Sequence, residues 1–178
     1  ITSVGFQLRF HPLLRQLRRS IHNGELGQLL FAEVVVGSYL PDWHPDEDYH
    51  MSYCSQRELG GGVVLTLIHE LDYLYWIFGL PTQVFSLQAE DSRLGIEVDV
   101  CVLTTMLFED GHRSFPIYLN QNYSEKPVRR YCRVVGEKGA AILDLVNNTL
   151  QYFDANGMLT EQSCLSELSR NDLFLSQM

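Results

Sequence analysis

Apolar positions repeat along this chain with two different periods. After Pro12, the residues Leu13, Leu14, Leu17 and Ile21 fall at helical spacing, so a helix is expected to about Asn23, with Asn23-Gly24 as a left-handed stop. Leu29 to Tyr39 is strand-like around Ala32-Glu33-Val34-Val35-Val36. Gly60-Gly61-Gly62 then opens an apolar helix expected over 62–78 and closed by Gly79-Leu80-Pro81. Beyond it the period changes to that of strands, expected over 82–91, 97–108, 113–123, 129–136, 139–145 and 148–153. Their turns carry glycine or asparagine: Glu109-Asp110-Gly111, Gly136-Glu137-Lys138-Gly139, Asn147-Asn148 and Ala155-Asn156-Gly157. A last helix is expected to start near Ser169 or Asn171. Helices, a run of antiparallel hairpins and a final helix make an α+β chain: one open, predominantly antiparallel sheet with helices on one face. The uncovered sheet face is a dimer surface by default. Ile1-Thr2-Ser3-Val4 reads like the middle of a strand, and Asn171 to Met178 stops inside a helical pattern, so residues 1–178 are expected to be a single domain cut from a longer protein.

Composition narrows the classes. A chain of 178 residues that is 46% hydrophobic and 20% charged can bury a real core. A net charge of -9 with no basic block argues against nucleic acid and against an anionic membrane surface. No apolar run approaches the ~20 residues of a membrane span. Cys54, Cys101, Cys132 and Cys164 form no CxxC pair, and three of them lie in apolar segments, which suits free thiols in a reducing, cytoplasmic compartment.

The candidate chemistry is concentrated in two segments. His69-Glu70 begins a zinc-protease motif, but Tyr73 stands where the second histidine must be, so no chelate forms. His44, Asp46, Glu47, Asp48 and His50 match no calcium or zinc loop, and no metal is expected. Gly60-Gly61-Gly62 is neither a P-loop nor a dinucleotide fingerprint; it suits a tight turn that lets a helix N-terminus approach another group closely. The loop from Pro41 to Tyr53 is long, acidic and aromatic, and Trp43, Tyr49 and Tyr53 are of the kind that line sugar sites. His69 lies among Leu67, Ile68 and Leu71, sharing a helix face with Thr66 and Tyr73. An imidazole there is either a satisfied core group or the acid/base of a site.

The segment Gly60 to Gly79 resembles the GGGxxxDxxxHxxDxxxxLxG signature of the Gfo/Idh/MocA oxidoreductases. Val4-Gly5-Phe6-Gln7-Leu8-Arg9-Phe10-His11-Pro12, Gly24-Glu25-Leu26-Gly27, Gly37-Ser38-Tyr39-Leu40-Pro41-Asp42-Trp43 and Val135-Gly136-Glu137-Lys138-Gly139-Ala140 are similar to further segments of that family, in the same order. The resemblance implies the C-terminal, substrate-binding and oligomerisation domain of an enzyme that moves hydride to or from a carbinol of a sugar or polyol. NAD or NADP would be bound by an N-terminal Rossmann domain that this chain lacks, and the open sheet would pair the subunits as a homodimer or homotetramer. By position, His69 would exchange the hydroxyl proton; Thr66, Tyr73, Arg9, Gln7, Trp43, Tyr49, Asn122 and Tyr123 would face substrate. Thr66 stands nearest the place of the family's aspartate, and Glu125-Lys126-Pro127 only spells a motif that belongs to the other domain. A non-catalytic ligand-binding or dimerisation module that kept the fold is the alternative.

Overall fold

The computed structural model describes residues 4–89, 91, 93–111, 113–166, 168 and 170–177. Helix α1 (Pro12–His22) begins with proline in its first turn, where the missing N–H costs nothing, and buries Leu13, Leu14 and Leu17. Its last turn ends on a bond from Asn23 N to Arg19 O of 2.8 Å, and Gly24 follows at a φ of 70°. Strand β1 (Leu29–Gly37) comes next. The stretch expected as one helix over 62–78 is two: α2 (Val63–Thr66) and α3 (His69–Phe78). Leu67 departs from helical geometry at φ −98°, ψ 41°, so Thr66, His69 and Tyr73 do not share one continuous face as the periodicity suggested.

The strands that follow are β2 (Gln83–Ala89), β3 (Cys101–Asp110), β4 (Arg113–Asn122), β5 (Arg129–Gly136), β6 (Gly139–Asp144), β7 (Thr149–Asp154) and β8 (Leu159–Cys164). Helix α4 (Arg170–Gln177) is the last element. The expected strand interior at Ile1-Thr2-Ser3, residue 90 of the expected strand 82–91, and the helix start at Ser169 lie outside the described residues; Val4 is not in a strand. The eight strands form one sheet in the order β2-β3-β4-β1-β5-β6-β7-β8. All neighbours run antiparallel except β1 and β4, which pair in parallel with Val34 opposite Leu119. The run of hairpins is therefore interrupted: β1 is inserted between β4 and β5.

One face of the sheet carries the main core. Leu14, Leu17, Tyr73, Leu74 and Ile77 from α1 and α3 meet Ala32, Val34, Phe108, Ile117, Cys132, Val134 and Leu143 from the sheet. The two helices are also latched end to end, because Arg18 Nε donates to Trp76 O at 3.2 Å and His22 Nε2 lies 2.9 Å from Ile77 O. Basic groups there satisfy the last carbonyls of α3. A second core cluster, around Leu40, Cys54, Val63, Leu94, Val100 and Tyr123, joins the aromatic loop to α2. No helix among the described residues is long and apolar enough to cross a membrane.

Candidate functional site

Three features of the sequence converge on the start of α3. The first is the glycine triplet. A Cβ at Gly61 would lie 2.5 Å from Tyr53 O, and one at Gly62, where φ is 111°, would lie 2.2 Å from Asp99 Oδ1. Only glycine permits this approach. Asp99 uses it to cap α2: its Oδ2 accepts from Val64 N at 2.9 Å and its carbonyl from Val63 N at 2.8 Å. The group that this helix N-terminus approaches is thus the chain's own carboxylate.

The second feature is the break. The carbonyl of Leu67, released from the helical ladder, accepts a bond of 2.9 Å from Gln121 Nε2, whose side chain is buried. A buried carbonyl left without a donor would be costly, so β4 in effect underwrites the interruption. The helix restarts with His69 as its first residue. The third feature is a pair of buried carboxylates directly after it. Glu70, fully buried, takes a two-pronged contact from Arg130 at 2.8 and 3.1 Å. Asp72 takes one from Arg9 at 2.6 and 2.9 Å. Burial works against the Arg130 charge, but Glu70 more than offsets it by charge and hydrogen bond; the bond to Asp72 holds the Arg9 guanidinium above its usual range. These pairs anchor α3 to β5 and to the segment before α1.

His69 opens on a cavity of about 570 Å3. One wall is Gln7, Thr66, Leu67 and His69; a second is His11, Arg129, Arg130 and Asn148; a third is Gly37, Ser38, Trp43, His44 and Tyr53, with Leu168 and Leu173 at the margin. His69 Nε2 lies 3.4 Å from Gln7 Nε2, and Phe6 meets the imidazole edge to face with ring centres 6.4 Å apart. Gln7 Oε1 is buried without a hydrogen-bond partner among the described residues, and the Thr66 hydroxyl faces that of Tyr123. Trp43 donates to Ser38 Oγ at 2.8 Å. Burial holds the His11 pKa below the usual imidazole range, against a bond to Asn148, and nearby Arg130 adds to the lowering.

The residues singled out from the sequence are divided by this geometry. Gln7, Thr66, His69 and Trp43 line the cavity together. Arg9 is spent on Asp72. Tyr73 is buried in the main core against the sheet, away from the cavity, because the break turns α3 out of the register of α2; burial pushes its hydroxyl well up in pKa. Tyr49 bonds Leu94 O at 3.0 Å and stacks on His50. Asn122 bonds Asn120 and Glu125, and Tyr123 lies fully buried beneath Trp43, ring centres 5.5 Å apart. Sequence reasoning passed over His11, Arg130 and Asn148, which reach the cavity only because the sheet brings β5 and the β6–β7 turn beside α1.

A second cavity of about 580 Å3 lies on the other side of α3, walled by Leu71, Leu74 and Tyr75, by Val84 of β2, and by Val102, Met106 and Phe108 of β3.

Comparison with known proteins agrees on one relationship. The family model described as the GFO/IDH/MocA C-terminal domain matches residues 14–142. An uncharacterized oxidoreductase from Synechocystis sp. is 37% identical over 81 residues, which is 44% of this chain and 20% of that protein. Among solved structures, a levoglucosan dehydrogenase in complex with NADH and levoglucosan superposes with a TM-score of 0.83 at 13% identity, over 99% of this chain and 55% of that one. An aldose-aldose oxidoreductase from Caulobacter crescentus, complexed with glycerol, gives 0.78 at 20% identity, over 97% and 50%. At these identities the likeness is one of fold, and the chain spans about half the length of either solved protein.

Proposed function

The chain belongs to the GFO/IDH/MocA C-terminal domain family, and from that membership we propose that it is the substrate-binding and oligomerisation domain of an NAD(P)-dependent oxidoreductase acting on a carbinol of a sugar or polyol. Residues 1–178 are the substrate half in this reading, and a Rossmann domain completes the enzyme. The observation that carries it is His69, set at the restart of a broken helix on the wall of a cavity into which the buried Gln7 also faces. Polar groups around a cavity of about 570 Å3 suit one hydroxylated ring rather than a whole dinucleotide.

The nicotinamide, when bound, supplies the hydride acceptor. The protein's part is the proton and the pose. His69 takes the hydroxyl proton of the carbinol as its C–H bond breaks, and returns it in reduction. Gln7, 3.4 Å from the imidazole, orients it, and Trp43 offers a ring face to the sugar. The oxidoreductase relative, and the levoglucosan and glycerol complexes of the two solved neighbours, support this substrate class. Exposed Phe85 and Leu87, with Phe31 on the same uncovered side of the sheet, support subunit pairing there. Free Cys54, Cys101, Cys132 and Cys164 suit the cytoplasm.

The test is turnover of neutral and acidic sugars by the full-length protein with both cofactors, before and after His69→Asn. One observation favours a second reading. Thr66, where the family carries aspartate, turns its hydroxyl toward Tyr123 and supplies no carboxylate beside His69. A binding module that lost the chemistry would retain sugar affinity and give no turnover in either form.

A further inference from the structure

The wall of the cavity facing His69 has a chemistry of its own. This chain carries 22 acidic residues against 13 lysines and arginines. Even so, no aspartate or glutamate among the described residues lines the His69 cavity, whereas Arg129 and Arg130 do. Arg130 meets Glu70 through Nε and Nη2, which leaves the Nη1 edge of its guanidinium without an acceptor among the described residues. Beside it, Asn148 Oδ1 is engaged by His11 Nε2 at 3.1 Å, so the Asn148 amide N–H groups are the part left for a ligand. Asn148 is held in place for this at a φ of 51°, in a left-handed conformation that asparagine tolerates. Among the described residues, Arg129 engages Glu125 through Nε alone and keeps both Nη groups.

We propose that the substrate of this site carries a compact oxyanion, a carboxylate or a phosphate, which binds at Arg130, Asn148 and Arg129 while its carbinol faces His69. The inference rests on the functional reading above for the carbinol, but not for the anion. Each arginine has a carboxylate behind it, so the wall offers little net charge. It offers N–H donors fixed in direction, with the Arg130 fork locked by a fully buried partner. A neutral sugar hydroxyl must donate as well as accept, and a wall of donors leaves its proton unplaced. An oxyanion only accepts, and it can take several such donors at once.

The experiment uses the full-length protein and two probes, inorganic phosphate and acetate, titrated calorimetrically with glycerol as the neutral control. At least one anion should bind saturably and more tightly than glycerol. Tighter phosphate points to a sugar phosphate, tighter acetate to a sugar acid. Asn148→Asp, which sets a carboxylate in the wall without disturbing the buried pair, should weaken that binding about tenfold or more. The paired change Glu70→Gln with Arg130→Gln should do the same; if it does not fold, Asn148→Asp carries the test. Anions bound no better than glycerol, binding indifferent to Asn148→Asp, or an anion displaced by NAD(P)H alone would each overturn the proposal. The functional reading fails separately: anion binding without cofactor-dependent turnover of any sugar removes the dehydrogenase and keeps the anion site, and turnover of neutral sugars without anion binding does the reverse.

Discussion

The two cavities on either side of α3 have nearly equal volumes, about 570 and 580 Å3, and almost nothing else in common. The His69 cavity is bounded by groups whose positions are fixed by directed bonds: Arg130 by Glu70, Asn148 by His11, Trp43 by Ser38, and the helix break by Gln121. The other is bounded mainly by the apolar side chains of Leu71, Leu74, Val84, Val102 and Met106, with Asp99, Thr104 and Gln121 as polar groups in its wall. Its outer wall is β2, an edge strand exposed on both faces. Volume does not tell a site from a gap in the packing. A wall made mostly of supported polar groups does, since chemistry needs atoms held to a fraction of an ångström and packing alone does not hold them there.

Four experiments test this contrast. The largest effect is expected at His69. In the full-length protein, His69→Asn should lower turnover by roughly 10²–10⁴-fold with an unchanged unfolding midpoint; a lowered midpoint with retained turnover would return His69 to the core. Next is the support behind the polar cavity. Glu70→Ala strands the Arg130 guanidinium and should cost about 3 kcal/mol of stability, read by urea unfolding, with much of the loss recovered when Arg130 becomes Met in the same chain. Equal losses in the single and double changes would mean the pair is not the reason.

The third experiment compares packing. Leu14→Ala, at a fully buried position, should cost about 2–4 kcal/mol, whereas Val84→Ala in the apolar cavity should cost under about 1 kcal/mol. Similar losses would show that β2 is held as firmly as the core. The smallest effect belongs to His11. Its folded pKa lies below the usual value, so on acidification the unfolded chain binds a proton first. Its contribution to stability is therefore complete above about pH 6.5 and declines as pH falls from there toward the lower folded value. His11→Asn should flatten that decline, measured as urea midpoints at neutral and mildly acidic pH; an unchanged slope would assign it to other groups.

How much of this was legible in the sequence depends on the range of the interaction that decides each part. Helix α1 was readable from Pro12, its leucine spacing and Asn23-Gly24, all local signals. Strands β5 to β7 were readable from alternation and turn residues. Strand β8 was missed because Thr160, Glu161, Gln162 and Ser163 are polar and present no buried face. The break at Leu67 was invisible, since Leu67 and Ile68 extend the apolar run as well as a helix would; the signal lies in Gln121, far along the chain. The same distance hid the pairing of Glu70 with Arg130 and of His11 with Asn148, so one wall of the cavity could be guessed and the facing wall could not.

The placement of β1 has a consequence for how this protein is made. It is an early strand with the apolar run Val34-Val35-Val36, and both of its neighbours, β4 and β5, come late in the sequence. On the ribosome it is finished well before either partner exists. Hairpins such as β3–β4 and β5–β6–β7 can close as they emerge, but the centre of the sheet must wait, and closing it spans most of the chain. Through that interval an unpaired, β-prone segment with two open edges is available to other chains. Slow refolding from denaturant, and yields that improve on dilution, are the behaviour this topology predicts.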